Sequence, residues 1–203
     1  MALSKILADG LYEIAALMTT VTEEFDRISM HGVRVSLLHK QAKALGMSLD
    51  IVKIPPKCAN EVYEKRMEDR LRFWQSNGIN DAAFGDIFLE DIKAYRENNL
   101  GKIGMNGIFP IWKTDSRKLA DDFVNKGFKA ILVCVDTKVL SKEFSGRFYD
   151  HDLLNALPKE IDPCGENGEF HTFVFDGPIF KNRVDIERGQ TIVQDGFAFT
   201  DIF

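Results

Sequence analysis

Apolar residues in the first half of the chain alternate between two spacings. Short, nearly continuous apolar runs are typical of strands that are covered on both faces, and apolar positions three or four residues apart predict helices. On this basis we predict helices over 1–8, 33–45, 60–77 and 88–98, and strands over 12–20, 49–54 and 82–84. Strands that alternate with helices of this length indicate an α/β fold with a parallel sheet and crossover helices.

The second half has a different pattern. A glycine-punctuated apolar stretch, GKIGMNGIFPIW, precedes a predicted helix over 114–126 and a buried strand over 129–135. A short helix follows Asp150, period-two alternation begins at Phe170, and the tail predicts a final strand pair. We place a domain boundary near residue 100, giving domains 1–99 and 100–203. Since no linker-like composition marks it, we expect the two to pack closely.

Composition excludes several classes of protein. The 203 residues are 45% hydrophobic and carry a net charge of -5, without the basic stripe expected of a nucleic-acid partner. No apolar run approaches the roughly 20 residues that span a bilayer, and the N-terminus lacks a signal-like apolar region. Three separated cysteines and four histidines without ligand spacing predict neither a disulfide framework nor a metal site built from these side chains. We therefore expect a cytoplasmic protein that binds neither nucleic acid nor membranes.

The richest stretch for chemistry is DPCGENGEFHTFVFDGPIF, residues 162–180. Gly165 and Gly168 permit a tight turn that would gather two carboxylates, an amide and an imidazole in one small volume. Such a group could hold an amine or move a proton. The alternative is a polar entry to a hairpin whose glycines serve only the turn. The lone Cys164 is expected to be inert, because nothing nearby is a clear paired base.

Two further segments follow predicted strands. The loop 19–34 leads into a helix, and Gly32 could free backbone N–H groups there for an anion; a solvated loop with a helix cap is the alternative. Gly85 and Asp86 end the third strand. Asp86 could bind a ribose hydroxyl or a magnesium-bound water, or it could simply cap the next helix.

Four segments together resemble a known family: EEFDRISMHGVR, FGDIFLEDIKAYRE, GIFPIWK and, most specifically, CGENGEFHT. They are similar, in the same order, to segments of the diphthine–ammonia ligases of the PP-loop ATP pyrophosphatases, and closest to the bacterial branch. The resemblance implies an adenine nucleotide α-hydrolase-like (HUP, Rossmann-like) parallel sheet with a smaller α+β C-terminal domain. Bacterial translation factors are not expected to carry diphthamide, so the resemblance leaves the acceptor of this branch open.

The resemblance also implies a reaction and its partners. A carboxylate-bearing acceptor would be adenylated by ATP with Mg²⁺ and then amidated by ammonia; a homodimer is compatible with this. Carried over by position, the residues fall into three groups. The catalytic pair would be Glu166 and Glu169. Acceptor or ammonia contacts would come from Gly165, Asn167, Gly168, His171 and Thr172. The nucleotide would contact Thr19, Thr20, His31, Gly32, Gly85 and Asp86.

The chain departs from the family in one respect. The phosphate-binding loop Ser-Gly-Gly-Lys-Asp-Ser does not occur in the sequence, and the strand before it, central in this fold, is not evident. We expect both to belong to a longer chain; a segment of another chain or a degenerate relative would also explain the difference. The leading hypothesis is an ATP-dependent, AMP-forming amide ligase. The alternatives are a nucleotide- or metabolite-binding protein without turnover and, least favoured by the acidic balance, an enzyme that acts on an RNA base.

Overall fold

The computed structural model describes residues 1–24, 26–28 and 31–203. Its helices are α1 (Ala2–Asp9), α2 (Val35–Leu45), α3 (Asn60–Ser76), α4 (Glu90–Gly101), α5 (Ser116–Asn125) and α6 (His151–Ala156), with a 3-10 turn at Lys142–Phe144. Its strands are β1 (Leu17–Thr22), β2 (Arg27–Ile28), β3 (Leu49–Ile54), β4 (Asp81–Ala83), β5 (Asn106–Ile108), β6 (Lys129–Asp136), β7 (Phe170–Asp176), β8 (Arg188–Gln194) and β9 (Phe197–Ile202). The chain is an α/β protein, as the sequence predicts.

Parallel pairing in the first half is divided between two small sheets. β1 pairs in parallel with β3 along its whole length, and β4 pairs in parallel with β5. The short strand β2 pairs in antiparallel with β1, and only at Val21 and Thr22. A single adenine nucleotide α-hydrolase-like parallel sheet is therefore not confirmed, because no strand of the described residues joins β1 to β4.

The C-terminal sheet is antiparallel, with the strand order β7-β6-β9-β8. β6 lies inside it, and its run KAILVCV is buried from Ala130 to Val135. This burial explains the continuous apolar pattern, since neither face of the strand meets water. β7 is an edge strand, and it carries the CGENGEFHT segment into the sheet.

One hydrophobic cluster crosses the boundary near residue 100. Leu37 and Ala44 of α2 pack with Phe173 and Phe175 of β7 and with Ile202 of β9. Burial of this kind contributes about 2 kcal/mol for each large side chain, so the cluster ties the two halves together. The halves pack closely, as expected, and the division into domains 1–99 and 100–203 stays a prediction.

Most element boundaries agree with the predictions. Gly10 and Gly46 end α1 and α2 in the left-handed conformation, with φ of 64° and 71°. The first strand is an exception, because it begins at Leu17 and not at Tyr12. Asn60 is the first residue of α3 and makes no side-chain cap, and β5 was not predicted.

Among the described residues, no helix combines the length and the apolarity that crossing a bilayer requires.

Candidate functional site

The CGENGEFHT segment folds into a tight turn that only glycine fits at one position. Gly165 has a φ of 69°, and a Cβ atom there would lie 2.7 Å from the backbone oxygen of Phe170. Gly168 also has a positive φ, 85°, but a Cβ atom there would meet nothing within 4 Å. The turn therefore needs left-handed backbone at both glycines and a missing side chain at the first.

Two carboxylates hold this turn from within. Asp162 Oδ1 accepts hydrogen bonds from the backbone N–H groups of Cys164 and Glu166. Glu169 is 6% exposed, and its two carboxylate oxygens accept from the backbone N–H of Asp162, the backbone N–H of Asn167 and the Asn167 side-chain amide, at 2.9 to 3.0 Å. In this structure both Asn167 and Glu169 thus make hydrogen bonds inside the loop.

Glu166 points out of the loop, towards the end of β4. Its Oε1 accepts the backbone N–H of Ile87 at 2.7 Å. Burial raises the pKa of the Glu166 carboxyl; the N–H groups of Ile87 and Phe88 oppose the shift, and the negative charge of Asp86 adds to it. This contact brings the turn against the Gly85–Asp86 segment, so two of the predicted groups of site residues meet.

Asp86 is nearly buried and forms an ion pair on its other side. Arg96 of α4 donates from Nε at 2.7 Å and from Nη2 at 3.2 Å to its two oxygens, and the guanidinium lies over the Phe84 ring. Asp86 does not cap α4, because Leu89 is the N-cap residue. Open space lies beside Gly85, where a Cβ atom would meet nothing within 4 Å.

The N-terminus of α1 lies at the same turn. Met1 packs in a hydrophobic cluster with Ile87 and Cys164. Burial raises the pKa of the Cys164 thiol to about 12, and Sγ donates a hydrogen bond to the Ser116 carbonyl. A thiol with so high a pKa is not a nucleophile at neutral pH, in agreement with the inert role expected from the sequence.

A second group of predicted residues lines a cavity of about 270 Å³ between β1, α2 and β7. Thr19, His31 and Thr172 line it, and the His31 ring stacks on the His171 ring with centroids 4.2 Å apart. Burial, with a smaller contribution from His171, lowers the pKa of His31 to about 4. Burial also lowers the pKa of His171. Both imidazoles are therefore neutral at pH 7.

The segment around His31 is fixed to the C-terminal sheet by charge. Asp201 of β9 accepts from Arg27 at 2.9 Å and from Arg34 at 2.5 and 3.1 Å, and Arg27 also donates to the Gly32 carbonyl. The hydrogen bonds from Arg34 and Arg27 lower the pKa of Asp201 to about 2. His31 is thus held at the junction of the two halves.

The remaining predicted nucleotide contacts are less tightly grouped. Thr20 pairs with Val52 within the parallel sheet, and Gly32 lies against the Phe199 ring. Within the predicted loop 19–34, Phe25, Ser29 and Met30 lie outside the described residues.

No group of three or more His, Cys, Asp or Glu side chains could hold a metal ion by itself in the part of the chain that the structure describes. Mg²⁺ that arrives with a nucleotide needs fewer protein ligands, because phosphate oxygens and water fill most of its coordination shell. The charge of Asp86 contributes to the raised pKa of Glu166, so the two carboxylates are neighbours, but both oxygens of Asp86 accept hydrogen bonds from Arg96.

Sequence reasoning missed two residues of this site, Asp162 and Arg96. A signal existed for Asp162, because an aspartate often binds the backbone N–H two residues further on in a turn. Arg96 stands ten residues after Asp86, a separation that no local rule of helix or turn relates.

Comparisons with known proteins agree with the family that the sequence resembles. Residues 115–202 match the family model of the diphthamide synthase C-terminal domain. The diphthine–ammonia ligase of Schizosaccharomyces pombe is 37% identical over 92 residues, which are 43% of this chain and 15% of that protein. The Danio rerio protein of the same name is 26% identical, over 61% of this chain and 51% of that protein. The Homo sapiens protein is 22% identical, over 77% of this chain and 61% of that protein.

The chain thus spans between 15 and 61% of the length of these curated relatives. Its C-terminal half carries the family model, and the longer alignments extend into the first half. Residues 115–202 are thus similar to the diphthamide synthase C-terminal domain, and the chain as a whole is similar to part of the diphthine–ammonia ligases.

Proposed function

We propose that this chain provides the catalytic site of an ATP-dependent, AMP-forming amide ligase. The observation that carries the proposal is the hydrogen bond from the Ile87 N–H to Glu166, which brings the turn 162–169 against the end of β4. Ligands of parallel α/β sheets bind at the carboxyl ends of strands, and this contact lies at such an end. The name shared by the relatives, diphthine–ammonia ligase, supplies the type of reaction.

The proposed reaction has two steps. A carboxylate oxygen of the acceptor attacks the α-phosphorus of ATP, and the bond to pyrophosphate breaks. Ammonia then attacks the acyl carbon, AMP leaves with the oxygen that bonded it, and the nitrogen loses a proton to a base. The enzyme must hold these groups in line and offset the charge of the triphosphate.

We assign to Glu166 the role of the base that accepts the proton from the attacking nitrogen. Its carboxylate reaches out of the turn to the Ile87 N–H, and burial raises its pKa, which makes it a stronger base than an exposed glutamate. With Asp86 it would also face the Mg²⁺ that accompanies ATP. Glu169 is assigned a positioning role, because its oxygens accept hydrogen bonds that define the turn.

The nucleotide is proposed to lie across the ends of β1 and β4. Gly85, with open space beside it, would allow close approach to its sugar or phosphates. Thr19 and Thr20 lie inside β1, and Thr19 lines the cavity beside α2, so their roles as nucleotide contacts stay predictions. The roles of His31 and Gly32 as nucleotide contacts stay predictions, as do those of the remaining loop residues toward the acceptor.

The test uses a chain extended upstream through the Ser-Gly-Gly-Lys-Asp-Ser loop that the resemblance implies, with Mg²⁺ and ATP, isotope-labelled ammonium and a metabolite extract as the source of acceptor. We expect AMP and pyrophosphate in equal amounts and one or more labelled amides by mass spectrometry. Glu166→Gln should reduce amide formation at least about 100-fold, because the general base is lost. The glutamine oxygen can still accept the Ile87 N–H, so the fold and ATP binding should persist.

Glu160→Gln is the matched control, since Glu160 is exposed and lies just outside the turn. It should leave both products unchanged. Equal activity of wild type and Glu166→Gln would overturn the assignment of Glu166, and a chain that neither binds nor cleaves ATP would overturn the ligase.

A second candidate is a nucleotide-binding protein without turnover. The observation that favours it is that Asp86 and Glu169 are both occupied by partners within the chain. Saturable binding of the ATP–magnesium complex without release of AMP would support this candidate against the ligase.

A further inference from the structure

The cavity between β1, α2 and β7 has a lining unlike that of the turn. Its walls are mostly apolar side chains, and among the described residues that line it there is no Asp, Glu, Lys or Arg. Its polar groups are those of Thr19, His31, Gln41 and Thr172. Gln41 is already used, because its side-chain amide donates to the Val174 carbonyl at 2.6 Å.

Neither imidazole at this cavity has a hydrogen-bond partner among the residues that the structure describes. Within the described residues, His31 and His171 contact each other through their stacked rings, and no hydrogen bond reaches either ring. Both residues are half-buried, and none of the buried side-chain nitrogen or oxygen atoms of the described residues lacks a partner, so the ring nitrogens are reached from the solvent-accessible space. A water or a ligand group there can hydrogen-bond to them. The stacked pair therefore offers unused polar atoms beside an apolar space.

The charges around His31 restrict what can bind there. His171 on β7 is the titratable group whose charge acts on His31 among the described residues. Arg27 and Arg34, on the segment of His31, are both held by Asp201 of β9. No unpaired carboxylate is available among them for a cationic ligand. An anionic ligand can be neutralised, because an imidazole beside it can take up a proton.

We propose that this cavity binds a small carboxylic acid with an apolar body, whose carboxylate pairs with His31. A volume of about 270 Å³ is slightly below the usual range for small-molecule sites, roughly 300–1,000 Å³, and suits an acid with a single ring or a short chain. The apolar walls receive the body of the acid, and the carboxylate fills the missing hydrogen-bond position at the imidazole. The inference goes beyond the proposed function, since it holds whether or not such an acid is the group that the ligase amidates.

Binding of this kind consumes one proton. The low pKa of His31 keeps the free imidazole neutral, and the carboxylate restores the charged form, so the complex holds a proton that the separate partners do not. Affinity should then fall about tenfold for each unit of pH between the free pKa of His31, about 4, and the higher pKa of this imidazole in the complex.

The experiment compares three probes of the same shape: benzoate, benzamide and benzylammonium. Binding to the intact chain is measured by calorimetry from about pH 5 to about pH 8. Between the free and the bound pKa of His31, one-proton linkage changes affinity about tenfold per unit of pH. We expect benzoate to follow this dependence, benzamide to bind without it, and benzylammonium not to bind. Equal affinity of benzoate and benzamide, a benzoate affinity independent of pH, or no saturable benzoate binding would each overturn the proposal.

Two variants place the effect at the cavity. His31→Phe keeps a ring against His171 but cannot take a proton, so the pH dependence of benzoate binding should disappear. His39→Phe changes an exposed histidine of α2 and should leave the pH dependence of benzoate binding unchanged. If both variants behave like wild type, the proton is taken up elsewhere and the proposal is wrong. Because a variant could fold poorly, NMR titration of the wild-type histidines gives an independent readout: saturation with benzoate should raise the pKa of His31 from about 4.

Discussion

The turn 162–169 and the cavity beside His31 are two ways of placing polar groups at the junction of the two halves. In the turn, Asp162 and Glu169 accept hydrogen bonds from the backbone of the turn itself. At the cavity, His31 and His171 stack on each other and receive no hydrogen bond from the described residues. One arrangement uses its polar atoms for rigidity, and the other leaves them available.

The contrast shows that residues close in sequence can have opposite roles. Glu169 and His171 are two positions apart, yet the first stabilises the turn and the second faces the other histidine. In the turn, Glu166 differs from the other carboxylates because its partner, the Ile87 N–H, belongs to the other half of the chain. That difference is the reason for assigning chemistry to Glu166 and positioning to Glu169.

At the cavity, the His31 imidazole should make the stability of the chain depend on pH. The pKa of His31 is 6.5 when unfolded and about 4 when folded, so between these values the unfolded chain binds more protons. Stability should therefore fall as the pH drops from 6.5 towards 4, by roughly 3 kcal/mol for this residue. In urea titrations at several pH values, His31→Phe should flatten this dependence and His39→Phe should not. An unchanged slope in His31→Phe would place the buried titration elsewhere.

Replacing Gly165 by alanine should destabilise the chain more than replacing Gly168. Gly165→Ala forces a side chain into left-handed backbone and against the Phe170 carbonyl, and we expect a loss of about 2 kcal/mol or more. Gly168→Ala has the strain without the clash, so about 1 kcal/mol is expected. Denaturant midpoints measure both. Equal losses would show that the close approach at Gly165 is relieved by movement of the loop.

A substitution at Glu169 tests whether its hydrogen bonds to the backbone N–H groups stabilise the turn. Glu169→Gln replaces one accepting oxygen by an N–H donor that faces other donors, and we expect about 1.5 kcal/mol of destabilisation. The exposed Glu160→Gln should cost less than about 0.5 kcal/mol. If the two variants are equally stable by urea denaturation, Glu169 is not the internal brace of the turn.

The ion pairs of Asp201 with Arg27 and Arg34 should have the smallest effect on stability. The folded pKa of Asp201 is about 2, below its ordinary value of 3.8, so this residue stabilises the chain above pH 3.8 and the contribution disappears as the pH falls towards 2. Because the group is partly exposed, solvent screening limits the contribution to about 1 kcal/mol. Asp201→Asn should therefore differ from wild type at neutral pH and converge with it in acid. A difference that persists in acid would indicate lost packing.

Local patterns predicted much of the fold. The spacing of apolar positions located β3, β6 and α2, and Gly10 and Gly46 marked the ends of helices, because these features depend on neighbours along the chain. The late start of β1 and the short β5 were missed, because pairing with distant strands decides them. The same limit applies to the division of the parallel pairing into two sheets.

The candidate site shows the same limit. The CGENGEFHT segment marked the turn, and its glycines marked the positive φ angles. The sequence could not distinguish Glu166 from Glu169, since both are carboxylates in the same short segment and their hydrogen-bond partners differ only in three dimensions. The Asp86–Arg96 and Asp201–Arg34 pairs depend on contacts that no spacing rule encodes.

The most direct test of the central claim follows the backbone amide signals of an isotope-labelled chain by NMR while ATP with Mg²⁺ is added. We expect the largest shifts on residues 85–88 and on the turn 162–169, which meet through Glu166 and Ile87. Saturable shifts confined to other segments, such as α3 or the β8–β9 hairpin, would contradict the claim.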